Sequence, residues 1–131
     1  MEKEFIEKWE KNKHILEDSL RGKIENCTYS DLFRLIVKNI LNYDYEEYDI
    51  KNIKTIDDGD YQGTIIFIAH KETYQPSVGD YIYTSVYYGS CSGCDTLQAI
   101  QFDYDYNYNE QRALNDTLLL CLHMIQNMKY M

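Results

Sequence analysis

An α+β domain is the fold this sequence predicts, and three observations predict it. Apolar residues recur at helical spacing near both ends of the chain. Between them the period changes to β-favouring runs separated by Gly-, Asp- and Pro-containing turns. The length of 131 residues with 44% hydrophobic content suits one packed core, so a single domain over residues 1–131 is expected. The expected architecture is a small antiparallel sheet of about three strands, packed against an N-terminal helix pair and a C-terminal helix.

Residues 3–20 form the first predicted helix, with Phe5, Trp9, Leu16 and Leu20 on one stripe. Glu4–Lys8 and Glu7–Lys11 have the favourable acid-before-base order at four-residue spacing, and Gly22 ends the run. Thr28, Ser30 and Asp31 supply cap-type residues before Leu32, Phe33, Leu35, Ile36, Ile40 and Leu41, so a second helix runs to about residue 42. Residues 48–56 then read as an imperfect strand, and Asp57-Asp58-Gly59-Asp60 as a turn. The nearly continuous apolar run at 63–70 suits a buried central strand. Residues 80–88 favour β structure throughout, with Ile82 and Val86 on one side and Tyr81, Tyr83 and Tyr87 on the other. Asp95 or Thr96 caps a short helix through Leu97 and Ile100, the Asp-Tyr stretch after it reads as a loop or edge strand, and residues 110–129 close the chain as a helix.

Charge is unevenly spread. Residues 1–38 balance eight acids with eight bases, whereas residues 39–111 hold thirteen acids against Lys51, Lys54 and Lys71, a net of −10. A negative field of that kind repels nucleic acid and attracts basic protein surfaces or metal ions, so no direct contact with DNA or RNA phosphates is expected. There is no apolar run long enough for a membrane span, and the charged first residues lack the apolar core of a secretion signal. The expectation is a cytoplasmic protein whose cysteines stay reduced unless they hold a metal or do redox work.

Fourteen tyrosines cluster with acids and asparagines, at Asn42–Asp49 and again at Asp103–Asn109. Tyrosine offers apolar area with a polar tip and few torsions to immobilise, which suits an interface. In extended chain the carboxylates of Asp103 and Asp105 would stand roughly 6–7 Å apart on one face, near the spacing of successive nucleic-acid phosphates. The candidate partner-binding residues are therefore Asp103, Tyr104, Asp105, Tyr106 and Tyr108, with Asp44 and Tyr45 as a second set.

Cys91 and Cys94 form a Cys-x-x-Cys pair between small residues, straight after a strand pattern. Such thiols can hold zinc, form a reversible disulfide, or simply sit in a tight turn. Zinc, the cofactor this pair suggests, needs two further ligands, for which Cys27 and His70 are the candidates. Cys121 falls on an apolar helix face and reads as core, while His123, two positions on, points elsewhere. Asp57, Asp58 and Asp60 with His70 give a third reading, a metal-dependent hydrolase, against which a solvated acidic turn is the simpler account.

The segments Asp57–Thr64, Tyr74–Ser77 and Tyr88–Leu97 resemble a group of small uncharacterised proteins from bacteriophages and prophages of Gram-positive bacteria. That resemblance spans roughly residues 50–101 and implies a phage accessory protein made in a bacterial cytoplasm; it implies no catalytic residue. Small acidic phage proteins often inhibit host machinery, anti-restriction and anti-CRISPR factors among them. The sequence thus leads to a non-enzymatic protein binding a basic host protein surface as an acidic nucleic-acid mimic. The alternative is a small zinc- or thiol-dependent protein organised around Cys91 and Cys94.

Overall fold

The computed structural model describes residues 2–60 and 62–131; Met1 and Tyr61 lie outside them. The first helix, α1 (Lys3–Leu20), has the bounds its spacing predicts and buries Phe5, Trp9, Leu16 and Leu20. Beyond it, Gly22 takes a φ of +77°, a left-handed backbone that glycine adopts without a Cβ clash. Of the two expected pairs, Glu4–Lys8 forms at 3.9 Å. Lys11 instead reaches Asp44 at 3.1 Å, and Glu7 pairs with Lys3 at 3.8 Å.

A reciprocal capping box opens α2 (Tyr29–Ile36). The Asp31 N–H donates to Thr28 Oγ1 at 3.1 Å, and the Thr28 N–H donates to the Asp31 carboxylate at 3.0 Å. The helical run then widens into a π turn over Val37–Leu41, closed by the Asn42 N–H on the Val37 carbonyl at 2.8 Å. Asn12, a buried polar residue of α1, donates to the Ile40 carbonyl of that turn at 3.0 Å and so ties the two helices together.

The sheet has four antiparallel strands in sequence order, β1 (Lys54–Asp57), β2 (Gly63–His70), β3 (Tyr81–Tyr88) and β4 (Lys129–Tyr130). Strand β1 is shorter than the run at 48–56 suggests, because Asp49 accepts from the Lys51 N–H and the Asn52 side chain and turns the chain there. Tyr48 keeps only an isolated bridge to Lys71. The inner face of the sheet buries Phe67, Ala69, Ile82 and Thr84. Phe33 of α2 stacks on Phe67 with ring centroids 5.0 Å apart, and the Thr84 hydroxyl donates to the Met124 carbonyl at 2.7 Å. Burial of a large side chain such as Phe67 or Ile82 contributes about 1.5–3 kcal/mol.

Two helices complete the fold, α3 (Thr96–Asn107) and α4 (Glu110–Gln126). Helix α3 overturns the expected loop or edge strand at the Asp-Tyr stretch. Its four-residue contacts explain why: Phe102 stacks on Tyr106, and the Asn107 side chain donates to Asp103 at 2.8 Å. Tyr104 turns inward against the core. Helix α4 ends three residues early, and Lys129 and Tyr130 leave it to pair with Tyr83 and Ile82, which adds the fourth strand. Among the described residues no helix is long and apolar enough to cross a membrane.

Candidate functional site: a thiol turn and its cleft

Strand β3 delivers the chain to Gly89, and six residues later α3 begins at its N-cap, Asp95. The intervening Cys91–Cys94 segment is a tight turn closed by the Cys94 N–H on the Cys91 carbonyl at 3.1 Å. Both thiols are exposed, and their Sγ atoms lie 2.9 Å apart. The Cys91 N–H also donates to Cys94 Sγ at 3.2 Å. These contacts favour a charged sulfur: the Cys91 thiol hydrogen bond, followed by the Ser90 hydroxyl and nearby backbone amides, holds the Cys94 thiol below the ordinary cysteine range. The N-terminal end of α3, one residue on, adds a favourable dipole.

Beneath the exposed turn lies a buried scaffold. Asp95 is only 4% exposed, and its carboxylate accepts three hydrogen bonds. Tyr29 Oη donates at 2.8 Å, the Gly89 N–H at 2.8 Å and the Gln98 N–H at 3.0 Å. Tyr29 Oη in turn accepts from the Leu97 N–H at 3.1 Å, and the Gln98 side chain donates to the Gly89 carbonyl at 3.1 Å. Burial raises the Tyr29 hydroxyl above the usual tyrosine range, which keeps it a donor. One carboxylate thus joins the end of β3, the start of α3 and the start of α2. Gly89 must lack a side chain, since a Cβ there would run into the Cys94 carbonyl and approach its Sγ at 2.8 Å.

Beside the turn, α3 and α4 wall a cleft of about 590 Å³ that Cys94 shares with Asp103, Arg112, Leu119 and His123. Arg112 pairs with Asp103 at 3.4 Å across it. This is room for a side chain or short peptide segment next to the sulfur. Two thiols are, however, only half of a tetrahedral zinc set. Cys27 is buried, and His70 is committed to its own strand end, contacting the Lys71 carbonyl at 2.8 Å. Among the described residues no three His, Cys, Asp or Glu side chains converge as a metal set.

The acidic-turn reading fares differently. Asp58 accepts from the Thr64 N–H at 2.7 Å, while Asp57 accepts from the Gly59 N–H at 3.0 Å and from Tyr88 Oη at 2.6 Å. Its carboxylates shape the β1–β2 hairpin. His70 closes the other end of β2, seven residues from Gly63 and so roughly 23 Å away, which separates it from Asp57, Asp58 and Asp60 as a hydrolytic set.

The two sets of residues expected to bind a partner lie on separate elements, with no hydrogen bond or ion pair joining them among the described residues. Asp44 is held by Lys11 and Asp103 by Arg112, while Tyr104 packs inward. Tyr45, Asp105, Tyr106 and Tyr108 remain exposed. Asp103 and Asp105, two positions apart on a helix, are rotated by roughly 200°, so no phosphate-like row of carboxylates forms. The chain matches no protein-family model, no curated protein and no solved structure. Sequence reasoning found Cys91, Cys94 and the Asp95 cap; it missed Tyr29, which lies 66 positions away, and the cleft residues Arg112 and His123, which no motif marks.

Proposed function

We propose that the chain acts through Cys91 and Cys94 as a dithiol that exchanges reversibly with a disulfide-bearing partner. One observation carries this: two exposed thiols 2.9 Å apart, held on a turn that a buried carboxylate with three hydrogen bonds anchors from below. A buried carboxylate is costly to desolvate, and its full satisfaction here fixes the turn that carries the sulfurs. The Cys94 thiolate attacks one sulfur of the partner's disulfide, forming a mixed disulfide and releasing the first partner thiolate. Cys91 then gives up its proton and attacks Cys94, releasing the second. The pair ends oxidised as Cys91–Cys94, and the partner ends reduced to two thiols.

The expected result is a redox titration against glutathione with a two-electron transition that Cys91→Ser and Cys94→Ser each remove. Iodoacetamide labelling followed by peptide mass spectrometry should give a Cys94 inflection below that of an ordinary cysteine. Absence of an intramolecular disulfide under oxidising glutathione would sink this reading. Bound zinc lost from either serine variant would replace it with the metal one.

A second reading is favoured by a different observation. Tyr108 is 82% exposed at the C-cap of α3, where a left-handed φ of +52° and its N–H on the Tyr104 carbonyl at 2.8 Å end the helix. Exposed aromatics at this helix end, Tyr108 with the stacked Phe102 and Tyr106, together with the exposed acid Asp105, suit a contact surface for a basic protein. In the setting that the phage resemblance implies, that protein is a host factor of nucleic-acid metabolism or defence. A basic lysate protein retained at low salt and released at high salt is expected, with retention lost in Asp105→Lys/Tyr108→Ala. Equal retention by that folded variant would remove the surface from consideration.

A further inference from the structure

Against the net charge of −9, the cations are not evenly neutralised. Seven of the thirteen Lys and Arg side chains form ion pairs, while Lys54, Lys129 and a group of four, Lys23, Arg34, Lys38 and Lys51, form none among the described residues. These four line one cleft of about 720 Å³. Asp31 is the one carboxylate in its lining; it is hydrogen-bonded in the capping box of α2 and offsets one of the four cations, so the cleft keeps an excess of positive charge. The cations converge from three places: Lys23 precedes α2, Arg34 and Lys38 are four apart on the α2 run, and Lys51 comes from the turn before β1. The C-terminal end of α2 offsets some of the repulsion between Arg34 and Lys38, but it has no bearing on Lys23 or Lys51. Such convergence is unfavourable unless an anion answers it.

The floor of the cleft is apolar. Leu35 and Ile50 both line it and pack against the core from the outside. A bare inorganic ion would leave that floor wet and most of the space empty, since a site of this size matches a ligand of drug or nucleotide dimensions. An organic carboxylate supplies one charge, less than the excess that the four cations keep over Asp31. A phosphate chain supplies two or more charges in a compact group whose oxygens fit the guanidinium fork.

We propose that this cleft binds an organic phosphate of nucleotide size. Arg34 takes phosphate oxygens in bidentate fashion, Lys23, Lys38 and Lys51 balance the remaining charge, and the body of the ligand lies on Leu35 and Ile50. The site is separate from the thiol turn, with no lining residue in common.

The test uses trinitrophenyl-ATP, a fluorescent nucleotide whose emission rises in apolar surroundings, titrated into the full chain. Saturable one-site binding is expected, displaced by ATP and at least tenfold weaker in Arg34→Glu/Lys38→Glu. Both residues are exposed, so circular dichroism should find that variant folded. Lys13→Glu, which reverses a cation outside the cleft, should leave binding within twofold of wild type. Equal weakening by Lys13→Glu would make the effect one of net charge and overturn the site. Displacement by inorganic phosphate as effective as by ATP would overturn the role of the apolar floor. Displacement by a short DNA duplex but not by ATP would make the cleft part of a nucleic-acid surface and overturn the small-ligand proposal.

Discussion

Asp95→Ala is expected to remove about 3–5 kcal/mol of stability and to lower Tm by roughly 10–20 °C. The substitution deletes the acceptor for three donors at once, the Tyr29 hydroxyl and the Gly89 and Gln98 amides. Tyr29 and Gly89 are buried, so neither finds water as a replacement without opening the structure. The N-cap of α3 goes too, which alone is worth about 1 kcal/mol. Asp95→Asn should lose less, because its oxygen can still accept from Tyr29 and Gln98 while its amide faces the Gly89 N–H unproductively. Urea denaturation of the three proteins checks the order. A loss below 1 kcal/mol for Asp95→Ala would mean that water substitutes for the carboxylate and that the turn is not anchored by it.

That network was half legible in the sequence. Asp95 belongs to a local pattern, a cap-type residue after glycine and serine and before an apolar pair, and its partner amides lie within six positions. Tyr29 reaches the network through a long-range hydrogen bond that only the tertiary fold brings about, and no spacing rule connects it to residue 95. The same division runs through the fold. Helix α1, the start of α2 and strands β2 and β3 stand where the apolar period puts them, because each buries one face against the core.

Failures came where a local pattern admits two periods. Asp103–Tyr108 alternates acid or amide with tyrosine, which reads as strand, yet the cap at Asp95 and the inward Tyr104 carry the helix through it. Strand β4 is two residues long, too short to interrupt a helical pattern, and Met128 just before it is buried as the apolar period expects. Charge summed along the chain was similarly blind to the cleft at Lys23, Arg34, Lys38 and Lys51. Residues 1–38 balance on paper, but α1 spends its cations on its own acids and on Glu47 and Asp44, which leaves those of α2 unanswered.

Phe67→Ala is the second substitution expected to have a large effect, about 3–5 kcal/mol. Phe67 is fully buried at the centre of β2, and its ring lies nearly parallel to that of Phe33 at 5.0 Å, the contact that seats α2 on the sheet. Truncation leaves a cavity between two elements that the rest of the core holds apart, so collapse is limited. Phe67→Leu should lose a smaller part, since it retains most of the volume and gives up the stacking, worth about 0.5–1.5 kcal/mol. Comparing Phe67→Ala with Asp95→Ala separates the core from the thiol scaffold. Both lower the unfolding midpoint, but the Phe67 variant, measured where it is still folded, should keep the wild-type pH inflection of Cys94 alkylation. The Asp95 variant should shift that inflection upward, because the turn that aligns Cys91 and Ser90 on the Cys94 sulfur loses its anchor. An equal shift in both would place control of the thiols in global packing rather than in the carboxylate beneath them.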